Sequence, residues 1–171
     1  ERRWRAAGGA PLHHHLGVSA FADHVVVSAR SAVRVTPALP FDVAALFGCA
    51  VLTGVGAVVN TARVPAGSTV AVVGLGGDGL NSLLGANLAG ARQIIAVDVR
   101  DEKLRLALQL GATAAINARE GDAVGQVKEL TGGGVDFAFE MAGSVQALGA
   151  AYRMTRRGGT TVTAGLPGPT T

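Results

Sequence analysis

Apolar residues in the second part of the chain form short, nearly continuous runs that alternate with amphipathic segments. The runs predict strands at residues 69–74, 93–98, 113–117, 135–141 and 160–165. The segments between them have helical periodicity and predict helices at residues 78–89, 101–110, 120–130 and 144–155. Strands that are apolar on both faces and alternate with helices are typical of a covered parallel sheet. We therefore expect an α/β fold with a doubly wound parallel sheet.

The predicted sheet has five strands, whereas a complete dinucleotide-binding fold usually has a sixth. The sequence starts without Met and stops shortly after the fifth predicted strand. We therefore expect a fragment that lacks the last strand.

The residues before 41 predict less regular structure. Residues 1–11 are basic and then rich in Gly and Pro, which predicts a loop, while Phe21–Val27 and Val33–Val35 predict short strands. The run His13-His14-His15 is a candidate metal-binding tract. Three adjacent side chains do not converge easily on one ion, and no Cys or carboxylate lies near them, so a polar loop is the favoured interpretation.

A stretch of 20 residues without charge, from Val43 to Ala62, is nominally long enough to cross a bilayer. We expect two helices in it, at residues 43–47 and 51–62, separated by Gly48. Its small and polar residues favour close packing in a buried element of a soluble protein over a membrane span.

The first predicted strand of the sheet leads into a turn with the spacing Gly74-x-Gly76-x-x-Gly79. In dinucleotide-binding folds such glycines permit the tight turn, the approach of the pyrophosphate and the packing of the next helix, respectively. The following helix N-terminus offers N–H groups and a positive dipole end to phosphates. We therefore expect cofactor contacts from this turn, that is from Gly74, Leu75, Gly76, Gly77 and Gly79.

The next strand ends in Asp98, 19 residues after Gly79. An acid at this point can accept both adenosine ribose hydroxyls and repels a 2′-phosphate, so it favours NAD over NADP. The alternative for Asp98 is a helix-capping or surface acid. Arg100 would weaken the selectivity by pairing with a phosphate.

Asp78 is an acid inside the turn that is meant to hold a pyrophosphate. A carboxylate suits a helix N-terminus by itself, but it would compete with the phosphates for the same N–H groups and repel them. Our hypothesis is that Asp78 weakens NAD binding.

Composition narrows the classes of partner and compartment. The net charge is +3, the arginines are scattered, and there is no basic stripe with stacking aromatics, so no nucleic-acid partner is expected. The single cysteine excludes an internal disulfide framework and a four-cysteine zinc site. With no signal peptide recognised, we expect a cytoplasmic protein that is not attached to a membrane.

Five segments carry a resemblance that covers roughly residues 12–168. They are His14–Phe21, Gly48–Asn60, Pro65–Gly79, Ile94–Asp98 and Gly132–Glu140. Together they resemble zinc-dependent medium-chain alcohol dehydrogenases, most of all the branch of liver-type alcohol dehydrogenases and glutathione-dependent formaldehyde dehydrogenases. The resemblance implies that residues 1–47 are the tail of a GroES-like β catalytic domain and that 48–171 are a truncated NAD-binding Rossmann domain.

The resemblance also implies roles for individual residues. Cys49 matches a ligand of the catalytic zinc, and Thr53 matches a catalytic residue beside the nicotinamide. Lys103 matches a residue that reaches the ribose. The alternatives are a small buried hydrophobe for Cys49 and a solvated helix lysine for Lys103. The residues that match the nicotinamide half of the site follow the fourth and fifth strands, namely Met141, Ala142, Gly143, Ala164, Gly165 and Leu166.

The function implied is that of an oxidoreductase that transfers a hydride between a zinc-bound alcohol or aldehyde and NAD(H). This chain would supply the cofactor domain and one zinc ligand, and full-length members of the family are homo-oligomers. The other zinc ligands would lie before residue 1, so the chain by itself is expected to be inactive. The alternatives are a truncated or decayed NAD-binding module without catalytic activity, and a remnant that does not fold stably.

Overall fold

The computed structural model describes residues 4–13 and 21–166, in two compact units, Glu1–Pro40 and Phe41–Thr171. In the first unit, strand β1 (Trp4–Arg5) pairs in antiparallel fashion with β2 (Pro11–Leu12). Gly9 has a φ of 80° in the connecting turn, and the Ala6 N–H donates to the Ala10 carbonyl. The prediction of a simple loop over residues 1–11 is therefore wrong, because the Gly8-Gly9 pair permits a tight hairpin.

The two strands predicted in the rest of this unit do not form within residues 21–40. The regular structure there is one 3₁₀ turn, Ala29–Ser31, in which the Arg30 N–H donates to the Ser28 hydroxyl. The apolar side chains of Phe21, Val26 and Val33 are exposed. An isolated apolar run has no strand to pair with here, so β-propensity alone does not produce a strand. His13 is exposed, while His14 and His15 lie outside the described residues.

The second unit begins with one continuous helix, α1 (Phe41–Thr61). Two stretches of π-helix, Phe47–Val51 and Ala57–Thr61, are inserted in it. The predicted break at Gly48 is therefore wrong, because a π turn accommodates the local mismatch without ending the helix.

By length and composition α1 could cross a membrane, with a mean hydropathy of 2.0, and 17% of its most apolar stretch is buried. Its buried residues are Gly54, Ala57 and Val58. The prediction of a buried element is therefore wrong for the first half of α1, because only the second half packs into the core of this unit.

The remaining strands form one parallel sheet in the order β5-β4-β3-β6-β7. This confirms the predicted five-stranded, doubly wound α/β fold. The strands are β3 (Thr69–Val73), β4 (Gln93–Asp98), β5 (Ala114–Asn117), β6 (Val135–Glu140) and β7 (Thr155–Thr163). The helices are α2 (Gly77–Leu88), α3 (Asp101–Gln109), α4 (Ala123–Thr131) and α5 (Val145–Met154).

Strand β7 starts five residues before its predicted start at residue 160. Val135 pairs with Thr155, but Phe137 pairs with Thr160, so the register shifts between these pairs. The extra residues include Gly158 and Gly159, which permit a bulge that the hydrophobic pattern does not indicate.

The sheet separates two apolar layers. Val70, Val72 and Leu83 belong to the layer that contains α2 and α3, while Ala71 and Met154 belong to the opposite layer. Successive residues of β3 therefore point to opposite layers, as the period of a strand requires. All five residues of β3 are buried, and β3 is also the middle strand of the sheet.

At the amino ends of the strands, the Asp136 carboxylate joins three strands. It accepts hydrogen bonds from the Thr69 N–H (2.7 Å), the Thr69 hydroxyl (2.8 Å) and Arg156 Nε (2.7 Å). These donors, first the Thr69 N–H and then Arg156, lower the pKa of Asp136 from 3.8 to about 2, against the opposing effect of partial burial. The carboxylate therefore stabilises the fold above pH 4, and this contribution is lost as the pH falls from about 4 to about 2.

We expect Asp136→Asn to lower the free energy of unfolding by about 1–2 kcal/mol at pH 7, a value reduced for the exposure of Arg156. Urea unfolding at pH 7, 4 and 3 checks this, and the difference between wild type and variant should shrink as the pH falls. Glu129→Gln, which removes an exposed acid of α4, is the matched control and should leave stability nearly unchanged. A constant difference at all three pH values would contradict the assignment.

Candidate functional site

The turn after β3 lies where the sheet order reverses, between β4 on one side and β6 on the other. Gly74 has a φ of 94°, and a Cβ at this position would lie 2.6 Å from the Ala142 nitrogen. The Gly74 N–H donates to the Val97 carbonyl at 2.8 Å. Gly74 thus needs both a left-handed backbone and a missing side chain, and it brings the turn against the loop that follows β6.

The other two glycines of the fingerprint have different environments. A Cβ on Gly79 would overlap the Gly74 carbonyl oxygen and approach the Met141 Cβ at 3.6 Å. A Cβ on Gly76 would meet nothing within 4 Å. Gly76 is the N-cap residue of α2, next to the first turn, where N–H groups lack intrahelical partners. This open backbone and helix N-terminus fit a pyrophosphate.

Asp98, at the carboxyl end of β4, is buried and oriented by backbone donors. Its Oδ2 accepts from the Leu75 N–H at 2.7 Å, while Oδ1 accepts from the N–H groups of Val99 (2.8 Å) and Arg100 (3.0 Å). A carboxylate has about four acceptor positions, so three are used and about one is left for a hydroxyl donor. Asp98, which the sequence analysis identified, is therefore hydrogen-bonded to the turn at residues 74–79, the glycine turn.

A cleft of about 480 Å³ adjoins Asp98 and Gly74. Its walls include Val97, Val99 and Ala142, and it extends to α4 and α5. A mostly apolar cleft next to an acceptor carboxylate has the chemistry that an adenosine group needs, with a face for the base and an acceptor for the ribose.

Glu140, at the end of β6, is a site residue that the sequence analysis missed. It is buried, and its Oε1 accepts from the N–H groups of Ala142 (2.9 Å) and Gly143 (2.7 Å). Its Oε2 accepts from the Thr163 hydroxyl at 2.7 Å. Glu140 ends an apolar run, as Asp98 does, and this shared pattern is the signal that would have found it.

The loops after β6 and β7 meet at the same end of the sheet. The Met141 N–H donates to the Val73 carbonyl at 2.8 Å, and the Ala164 N–H donates to the Glu140 carbonyl at 3.0 Å. Gly143 has a φ of 71°, and a Cβ there would lie 2.8 Å from the Leu166 carbonyl oxygen. A Cβ on Gly165 would overlap the Gly143 backbone. The predicted residues 141–143 and 164–166 are thus brought together beside the glycine turn.

Helix α1 packs across the start of α2. The Ala50 Cβ would lie 3.3 Å from a Cβ on Gly77, and a Cβ on Gly54 would overlap the Asp78 carbonyl oxygen. The Ser82 hydroxyl donates to the Asp78 carbonyl (2.9 Å) and approaches the Gly54 carbonyl (3.3 Å). Cys49 and Thr53 directly precede Ala50 and Gly54, the two residues of α1 that make these contacts with the start of α2.

Cys49 is an exposed free thiol, and Thr53 is half-buried. Among residues 4–13 and 21–166, no three His, Cys, Asp or Glu side chains come together as a metal site. The described residues therefore do not fit a complete zinc centre, which needs at least three protein ligands.

Three charged residues predicted to affect the cofactor lie around this end of the sheet. Asp78 is half-buried in the first turn of α2. Lys103 is half-buried in the first turn of α3, and among the described residues no hydrogen bond joins its ammonium to the glycine turn. Arg100 forms an exposed ion pair with Glu102.

The family model for zinc-binding dehydrogenases matches residues 77–171. The crystal structure of an alcohol dehydrogenase zinc-binding domain protein from Burkholderia ambifaria is 40% identical, with a TM-score of 0.88 over 98% of this chain. Benzyl alcohol dehydrogenase from Acinetobacter calcoaceticus is 38% identical, with a TM-score of 0.85 over 90% of this chain. 2R,3R-butanediol dehydrogenase from Bacillus subtilis is 32% identical, with a TM-score of 0.67 over 77% of this chain.

The chain spans 45%, 42% and 38% of the lengths of these three proteins, respectively. The matches do not distinguish the liver-type branch, which stays a prediction. The family match covers more than half of the sequence, and the parallel sheet and glycine turn agree with it. This chain therefore belongs to the zinc-binding dehydrogenase family of alcohol dehydrogenases.

Proposed function

We propose that this chain is the NAD(H)-binding part of an alcohol dehydrogenase that transfers a hydride between a small alcohol or aldehyde and the nicotinamide. The observation that carries the proposal is the buried Asp98 carboxylate, fixed by the Leu75 N–H beside an open glycine turn. This arrangement pairs a ribose acceptor with a pyrophosphate cradle at the switch point of a parallel sheet. The relatives named for alcohol oxidation support the substrate class.

Each part of the dinucleotide has a matching surface. The cleft beside Asp98 takes the adenosine, and the backbone at Gly76 with the α2 N-terminus takes the pyrophosphate. The loops 141–143 and 164–166 position the nicotinamide and keep water from one face of it. When bound, NAD supplies the hydride acceptor, and the protein supplies binding, orientation and electrostatics.

Cys49 is proposed as one ligand of a catalytic zinc in the complete protein, with the remaining ligands outside the described residues. A thiolate suits zinc. Thr53, one helical turn later on α1, is proposed to lie beside the nicotinamide, and Lys103 to reach the ribose. A cytoplasmic location and a homo-oligomeric state in the complete protein belong to the same proposal.

A second candidate function is NAD(H) binding without catalysis. The exposure of Cys49 and the lack of companion ligands among the described residues favour it. Alcohol-dependent reduction of NAD by the complete protein, followed at the NADH absorbance, separates the two, because the chain by itself is expected to be inactive under either candidate. Turnover supports the dehydrogenase, whereas NADH binding without turnover supports the binding module.

Titration of NADH fluorescence tests the binding shared by both candidates. We expect saturable binding by the wild type and at least roughly tenfold weaker binding by Asp98→Asn, because a charge-assisted hydrogen bond contributes about 1.5–3 kcal/mol. Glu129→Gln removes the same charge from an exposed site and should bind NADH like the wild type. Asp98→Asn also weakens the hydrogen bond that holds the turn after β3. Thermal unfolding of this variant therefore shows how much of the weaker NADH binding comes from lower stability of the turn. A folded wild-type chain that does not bind NADH would overturn the proposed function.

A further inference from the structure

Arg100 and Glu102 form an ion pair two residues beyond the end of β4. Arg100 Nη2 donates to Glu102 Oε1, and the two side chains are 57% and 59% exposed. The backbone N–H of Arg100 donates to Asp98 Oδ1 at 3.0 Å, which fixes the start of the Arg100 side chain next to the proposed ribose acceptor. The Arg100 backbone thus lies next to the proposed ribose acceptor, while its guanidinium pairs with Glu102 in the first turn of α3.

The residues after a strand in this position decide between the two nicotinamide cofactors. An acid on the ribose hydroxyls favours NAD, whereas a nearby Arg accommodates the 2′-phosphate of NADP. This chain has both features, Asp98 and Arg100, and they act in opposite directions. A guanidinium binds phosphate well because its fork of donors matches the phosphate oxygens.

Glu102 changes the charge that this Arg presents. The segment 98–103 has three acids, Asp98, Asp101 and Glu102, against two bases, Arg100 and Lys103, so its formal charge is −1. Asp101 Oδ1 accepts from Asn117 Nδ2 at 2.7 Å and is thereby directed toward β5. Glu102 is therefore the acid that pairs with Arg100, and loss of Glu102 would both free the guanidinium and make the segment neutral.

We propose that Glu102 is a specificity-determining residue that occupies the Arg100 guanidinium and so keeps it from binding a 2′-phosphate. The proposal rests on the proposed NAD(H) binding and extends it, because it assigns the exclusion of NADP to two acids. Asp98 acts on the ribose directly, and Glu102 acts through Arg100. Exposed ion pairs are weak, so the expected change is moderate and depends on ionic strength.

The test compares the dissociation constants of NADH and NADPH by fluorescence titration at low ionic strength. We expect Glu102→Gln to raise the affinity for NADPH relative to NADH by roughly twofold to fivefold, with NADH affinity changed by less than about twofold. The double variant Arg100→Gln/Glu102→Gln should return the ratio to the wild-type value, because the freed guanidinium is removed as well.

Glu120→Gln is the matched control. Glu120 is an exposed acid after the neighbouring strand β5, and its side chain is not the Arg100 partner. A Glu120→Gln ratio that rises as much as that of Glu102→Gln would show a general charge effect and overturn the specific role of Glu102. A double variant that keeps the gain would overturn it too.

The outcomes separate this inference from the proposed function. NADH binding with an unchanged NADPH to NADH ratio in Glu102→Gln would overturn the role of Glu102 alone. Absence of NADH binding in all folded variants would overturn both. A shifted ratio that the double variant reverses supports the proposal.

Discussion

Gly79→Ala is expected to lower the free energy of unfolding by about 3 kcal/mol, the upper end for added bulk in a packed site. The new methyl group would overlap the Gly74 carbonyl oxygen, which belongs to the backbone and cannot move aside as a flexible side chain can. Since Gly79 is buried at the contact of α2 with the sheet, the helix itself would have to shift. Thermal unfolding should show a decrease of the midpoint by roughly 6–12 °C.

Gly76→Ala is the matched control for this change. It adds the same methyl group three residues earlier, where φ is −76° and the new Cβ would meet no atom beyond its chain neighbours within 4 Å. Its unfolding midpoint should stay near that of the wild type, while NADH binding weakens because the methyl group stands where the pyrophosphate approaches. Equal stability of Gly79→Ala and Gly76→Ala would refute the packing role of Gly79.

Asp78→Val is expected to tighten NADH binding by roughly fivefold or more, since the repulsion it removes is on the order of 1–3 kcal/mol. Asp78 lies in the first turn of α2, half-buried beside the proposed pyrophosphate cradle. Its carboxylate would repel the phosphates and compete for the same N–H groups. The dissociation constants of NADH for wild type and variant give the measurement.

Asp78→Asn separates charge from shape, because the amide keeps the size of the acid. We expect it to give most of the gain, and the gain of both variants should shrink at high salt. The same substitutions remove an acid from a helix N-terminus, so the free protein should be less stable by up to about 1 kcal/mol. We thus expect both variants to bind NADH more tightly and to be less stable than the wild type. Unchanged NADH affinity in both variants would refute the repulsion between Asp78 and the phosphates.

The sheet could be predicted from the sequence because its strands are buried on both faces and are separated by amphipathic helices. Nothing in that pattern indicates the bulge that starts β7 at Thr155, since the bulge depends on how β7 pairs with β6. The π stretches of α1 were missed for a similar reason. Gly48 looks like a helix end locally, but the helix continues through it.

The candidate site also has features that local sequence patterns predict and features that depend on the folded structure. The glycine spacing and Asp98 are local patterns with a known mechanism, so they could be found without a structure. The hydrogen bond from Leu75 to Asp98 joins residues that are 23 positions apart, and it depends on β3 and β4 being neighbours. The hydrogen bond between Glu140 and Thr163 and the cleft beside Asp98 depend in the same way on the order of the strands.

Glu140 also has a consequence for motion. One carboxylate holds the N–H groups of Ala142 and Gly143 and the Thr163 hydroxyl, so the loops after β6 and β7 share a single anchor. Segments that share their anchoring bonds open together as one cooperative unit rather than independently. We therefore expect local opening of these two loops to have one free energy and one rate. For a nicotinamide bound there as proposed, entry and release of the ring would then be a single gated event.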